Sequence, residues 1–134
     1  MMLNVEHIGI AVRNLAEAEN IYSKLFGVQP YKRETVASEM VSTSFFKVNQ
    51  TKIELLQATS EESVISKFIE KKGEGMHHIA YEVADIFQEI KRLKNEGFVF
   101  INEVPKKGAD NKMVCFLHPK STQGVLIELC QEMV

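Results

Sequence analysis

Four residues of this chain have the types and the spacing to hold a divalent cation: His7, Glu54, His78 and Glu128. His7 stands in "EHIGIAV" and His78 in "MHHIAYEV", so each histidine heads an alternating apolar run. Glu54 and Glu128 occupy the same place in two similar tetrapeptides, "IELL" and "IELC". Two neutral imidazoles and two carboxylates would balance the charge of a divalent ion. Imidazole suits zinc, cobalt, nickel or iron, and carboxylate also suits manganese or magnesium.

A strand sends successive side chains to opposite faces. His7 therefore goes with Val5, Gly9 and Ala11, small neighbours of the kind that floor a cavity, while Ile8, Ile10 and Val12 turn toward the face expected to pack under a helix. Glu54, between Ile53 and Leu55, and Glu128, between Ile127 and Leu129, also oppose the apolar side of their strands. Each residue taken singly has a plainer explanation. A lone strand histidine is usually a satisfied structural group, and a glutamate in an apolar strand usually marks the solvent side of a sheet. His77 is read in that way, because alternation points it away from His78.

What sets the four apart is a repeat. A shift of 71 positions superposes His7-Ile8-Gly9 on His78-Ile79-Ala80, Val12 on Val83, Leu15 on Ile86 and Phe45-Phe46 on Phe116-Leu117. Three further residues of offset bring "IELL" onto "IELC". Only two copies exist, so this is duplication of one supersecondary unit and not a solenoid.

The elements that must position these residues follow from periodicity. The first copy reads as a strand through "LNVEHIGIAV" and a helix capped by Asn14, with Glu17 at the capping-box position and Gly27 as its stop. Strands near 30–36, 40–48 and 51–58 follow. The second copy repeats the order, with a strand at 76–83, a helix from the Asp85 cap to Gly97, and strands near 98–102, 112–118 and 125–131. Between the copies "TSEESVISKFIEKKGEG" predicts a linking helix, capped by Thr59 or Ser60 and stopped by Gly73. The fold class is α+β, two tandem β-α-β-β-β modules (about 1–58 and 74–134, linker about 59–73) in one domain spanning 1–134.

Composition narrows the function. The net charge of -2 is the wrong sign for a nucleic-acid partner. No apolar run reaches the roughly 20 residues that span a bilayer. The start of the chain carries no basic region or cleavage signal, and Cys115 and Cys130 make no disulfide framework, so a cytoplasmic protein with two inert thiols is expected. "KKGEG" lacks the strand and helix context of a phosphate-binding loop.

The whole chain resembles the vicinal oxygen chelate superfamily, which includes glyoxalase I, extradiol dioxygenases and fosfomycin-resistance proteins. Within it the chain is most similar to the methylmalonyl-CoA epimerases, on "VEHIGIAVRNLAEAENIYSKLFG", "GEGMHHIAYEVADI" and "HPKSTQGVLIELCQ". The resemblance implies paired modules that form a cupped mixed sheet around a divalent metal (cobalt, zinc, nickel or manganese), with His7, Glu54, His78 and Glu128 as ligands. It implies an acyl-CoA substrate, a homodimer, and an isomerase that removes and returns the C2 proton through a metal-stabilised enolate, with Glu128 and Glu54 as the acid/base pair. Some epimerases carry another glutamate on the strand before the second ligand, where this chain has Thr43, and Glu39 lies nearby out of register. The His-Glu-His-Glu ligand set is also that of small bacterial glyoxalase I enzymes, so a lactoylglutathione lyase acting on a hemithioacetal is the alternative activity. A non-catalytic binder of small ligands is the alternative class. Lys106, Lys107, Lys112 and Lys120, like Lys32-Arg33, can meet coenzyme phosphates or simply form solvated surface.

Overall fold

The computed structural model describes residues 1–133. Its chain contacts divide into two units: His7–His77, here the N-terminal unit, and Met1–Glu6 together with the chain from His78 onward, the C-terminal unit.

The N-terminal unit holds most of strand β1 (Met2–Ala11), helix α1 (Leu15–Phe26), strands β2 (Lys32–Val36), β3 (Val41–Val48) and β4 (Thr51–Ala58), and helix α2 (Val64–Lys72). Its strands lie in the order β2-β3-β4-β1, antiparallel except for the parallel β1/β4 pair. Helix α1 starts where expected, because the Asn14 side chain accepts a hydrogen bond from the Glu17 amide at 2.9 Å. It ends at Gly27, whose φ of 73° is left-handed and costs a glycine little. Val12, Leu15, Ala18, Phe46 and Leu55 pack with Tyr22 and Phe26 between α1 and one face of the sheet. Helix α2 packs Ile65, Phe68 and Ile69 against Ala11, Val41 and Leu56 on the other face.

The C-terminal unit repeats the plan with β5 (Gly75–Val83), α3 (Ile86–Asn95), β6 (Lys106–Lys107), β7 (Lys112–Leu117) and β8 (Ile127–Glu132). The strand order is β5-β8-β7-β6, with β5 and β8 parallel, the same arrangement as in the first copy. Asp85 caps α3 by accepting from the Phe87 and Gln88 amides. The core under α3 is Val83, Ile86, Ile90, Leu93, Phe100, Cys115, Leu117 and Leu129. The fold is α+β, as the periodicity predicts.

Two expectations are corrected. The segment 98–102 is not a strand: Phe100 makes one isolated bridge to Leu117, and the ladder partner of β7 is Lys106–Lys107. Phe98 and Phe100 are drawn into the core, and Pro105, with no N–H to donate, stands between this segment and β6. Helix α2 begins at Val64 and is capped by Ser63, which accepts from the Ile65 amide, and not by Thr59 or Ser60. The Ser60 hydroxyl instead accepts from the Glu62 amide in the preceding turn.

Candidate metal centre

In the N-terminal unit Glu54 lies directly across from Gly9 on the parallel partner strand, and His7 is two residues before Gly9. In the C-terminal unit Glu128 lies across from Ala80, and His78 is two residues before Ala80. A small residue opposite each glutamate leaves room for the diagonal histidine to reach the carboxylate on the shared face. His7 Nδ1 stands 3.2 Å from Glu54 Oε2, and His78 Nε2 stands 3.1 Å from Glu128 Oε1. All four side chains are buried, between 4% and 6% exposed. Carboxylates taken so far from water need partners, and each has its imidazole.

The donor chemistry of each pair fits a divalent cation. Two ligand atoms at about 2.1 Å from one ion, at tetrahedral or octahedral angles, sit about 3.0–3.4 Å apart. Both observed separations fall in that range. The Phe116 ring meets His78 edge-on at 5.8 Å and limits the imidazole's rotation. His77, expected to be structural, packs edge-on against Phe68 of α2 at 4.9 Å.

Charge around Glu128 is felt by two buried thiols. Burial pushes Cys115 up to about 12, with Glu128 adding to the effect. Burial likewise holds Cys130 well above its ordinary value, raised further by Glu128, Glu6 and Glu82 and opposed by Lys112. Neither thiol is a nucleophile at neutral pH.

The sequence did not single out Glu6. It and His7 are successive residues and both are buried, at 6% and 5% exposure, so strict alternation is broken where the chain passes from one unit to the other. Within the C-terminal unit Glu6 Oε2 lies 3.8 Å from Lys112 Nζ. Lys112 was expected at the surface with the other lysines. It is only 6% exposed, whereas Lys106, Lys107 and Lys120 are exposed. Counting back by twos from Phe116, the partner of Glu128, places Lys112 on the Glu128 face, a signal that needs the β7/β8 register.

The remaining candidates are dispersed. Thr43, on β3, is 2% exposed and lies opposite Leu56 and Glu34, so Glu34 shares the face that carries Glu54. Glu39 sits in a short 3-10 turn between β2 and β3. Lys32 and Arg33 part company: Lys32 Nζ lies 4.7 Å from the centre of the Phe45 ring, and Arg33 Nε donates to Glu19 of α1 at 2.9 Å. Among the described residues no helix is long and apolar enough to cross a membrane.

The model of the glyoxalase/bleomycin resistance protein/dioxygenase superfamily matches residues 6–116, and the chain belongs to that superfamily. An ethylmalonyl-CoA/methylmalonyl-CoA epimerase of Cereibacter sphaeroides is 40% identical over 98% of this chain and 99% of its own. The mitochondrial methylmalonyl-CoA epimerase of Dictyostelium discoideum is 40% identical over 93% of this chain and 76% of its own. A solved Streptomyces coelicolor methylmalonyl-CoA epimerase in complex with 2-nitronate-propionyl-CoA superposes with a TM-score of 0.95, at 29% identity, over 100% of this chain and 97% of that one. By these likenesses the chain is an enzyme of the racemase and epimerase class.

Proposed function

We propose that the protein interconverts the C2 epimers of methylmalonyl-CoA, with His7, Glu54, His78 and Glu128 holding one divalent ion in a single domain. The observation that carries this reading is the pair of buried histidine–glutamate contacts at repeat-matched positions, one from each copy of the module. The epimerase relatives and the acyl-CoA complex of the Streptomyces neighbour support the substrate class. A divalent ion held there would act as a Lewis acid on the thioester carbonyl and stabilise the charge that develops as the C2 proton leaves.

The protein's own part is to orient the acyl group and move the proton. Glu128 and Glu54 are the acid/base pair, one on each side of C2, so that a proton taken from one face is returned to the other. Their burial limits exchange of that proton with bulk water. The working form is taken as a homodimer, on the family resemblance, and the compartment as the cytoplasm, which the two buried free thiols favour.

The test is deuterium uptake. Protein stripped of metal and resupplied with cobalt or zinc is incubated with methylmalonyl-CoA in heavy water, with mass spectrometry for C2 exchange and a chirally selective coupled assay for inversion. Metal-dependent exchange with inversion is expected. No exchange above the metal-only control overturns the reading and turns attention to the glutathione hemithioacetal.

A further inference from the structure

Each copy of the module carries a glutamine three residues after its candidate ligand glutamate: Gln57 after Glu54 and Gln131 after Glu128. Three is an odd step along a strand, so each glutamine turns to the face opposite its glutamate. That face is the helix-covered one, where Leu55 packs under α1 and Leu129 under α3. There each glutamine meets a helix start. The Leu15 N–H donates to Gln57 Oε1 at 2.6 Å, and the Ile86 N–H donates to Gln131 Oε1 at 2.8 Å. Leu15 and Ile86 open α1 and α3, and they superpose in the 71-residue repeat.

The first N–H groups of a helix have no partner inside it. The local caps serve the later ones, Asn14 that of Glu17 and Asp85 those of Phe87 and Gln88. The opening N–H is met instead by a side chain from another strand. Strand β1 runs from His7 toward α1, and β5 runs from His78 toward α3, so each helix start is joined closely to a histidine strand. The glutamine bond therefore ties the glutamate strand to the segment that holds the histidine. A parallel ladder fixes that relation weakly by itself, because its hydrogen bonds recur along the strand. A slip of two residues keeps every side chain on its face, yet it moves Glu54 or Glu128 about 7 Å along the strand, out of reach of its imidazole. The same slip carries the glutamine oxygen away from the helix start. The tie forms in one register only.

We propose that Gln57 and Gln131 are positioning residues of the metal centre, each holding the register in which a glutamate ligand meets its histidine. This rests on the reading of the four histidine and glutamate residues as a metal centre. Neither glutamine touches the ion; each acts through the strand that carries the ligand.

The experiment measures cobalt(II) affinity by competition with a chelating dye, together with the visible absorption of the bound cobalt, which reports ligand geometry. Methionine replaces a glutamine at nearly the same length without its oxygen, and glutamate restores an acceptor. Q57M and Q131M are each expected to bind cobalt about 10- to 100-fold more weakly, with an altered spectrum. Q57E and Q131E should return both readings to wild-type values. N14A and D85A weaken the same two helix starts without touching the tie between strands, and they should leave affinity and spectrum unchanged. The two copies supply independent variants, so one that fails to fold leaves the other to decide. Wild-type affinity in the methionine variants overturns the proposal, as does failure of the glutamate variants to restore it. An equal loss in N14A and D85A also overturns it, since helix capping would then be the cause. In each of these cases the metal-centre reading stands. A wild type that takes up no cobalt overturns that reading, and this proposal with it.

Discussion

His78 Nε2 lies 3.1 Å from Glu128 Oε1, with both residues almost wholly buried, and the two reach each other across Ala80 from neighbouring parallel strands. His7 and Glu54 repeat this relationship across Gly9. A diagonal histidine–glutamate pair over a small residue is therefore the unit that the duplication copied.

Removing a ligand should remove the ion. H7A and H78A are each expected to lower metal affinity by more than the roughly 10- to 100-fold typical of losing an outer-shell partner. H77A should keep wild-type metal content, because its ring packs on Phe68. Metal analysis after dialysis checks all three, and loss of metal in H77A alone would show the strand register to be wrong.

Chelation should also show in stability. A ligand present at 100 times its dissociation constant stabilises the folded state by about 2.7 kcal/mol. For a chain of this size that corresponds to a fall in Tm of roughly 10 °C on adding excess chelator. Scanning calorimetry with and without metal measures it, and an unchanged Tm would count against a tightly held ion.

The two glutamates should divide the proton transfers. E54Q and E128Q are each expected to reduce epimerisation by about 10²- to 10⁴-fold. Each should still exchange deuterium into one C2 epimer while failing on the other. Exchange assays started from the separate epimers decide this, and equal losses on both epimers would remove the two-base scheme.

The thiols should make the fold sensitive to high pH. Burial, the main cause, raises Cys115 from 9.0 to about 12 and raises Cys130 as well, so each is neutral when folded and ionises more readily when unfolded. The unfolded chain then binds fewer protons, and stability falls as pH rises. The loss starts near pH 9 and grows by up to about 1.4 kcal/mol per pH unit for each thiol until the folded-state value is reached. Urea melts at pH 8 and pH 10 are expected to show a smaller difference for C115A/C130A than for wild type.

A cap substitution gives a control away from the site. Asp85 accepts hydrogen bonds from the Phe87 and Gln88 amides at the start of α3. D85A should cost about 1 kcal/mol in chemical denaturation and leave metal content and exchange rates unchanged.

Local rules made much of this molecule legible in its amino-acid order. Alternation set the strands that carry His7 and His78, Asn14 and Asp85 marked the helix starts, and the matched histidines and glutamates showed that one module occurs twice. These features depend on side-chain period and on hydrogen bonds between near neighbours, which a short stretch of chain determines by itself. The tertiary structure decided the rest. It turned Glu6 inward beside His7 against the alternation, buried Lys112 beneath it, and drew Phe98 and Phe100 into the core while β6 pairs with β7. Glu6 and Lys112 are more than a hundred positions apart, and no local rule relates them. Their contact exists because strand register and packing bring distant segments together, and a charge accepts burial where a partner is waiting for it.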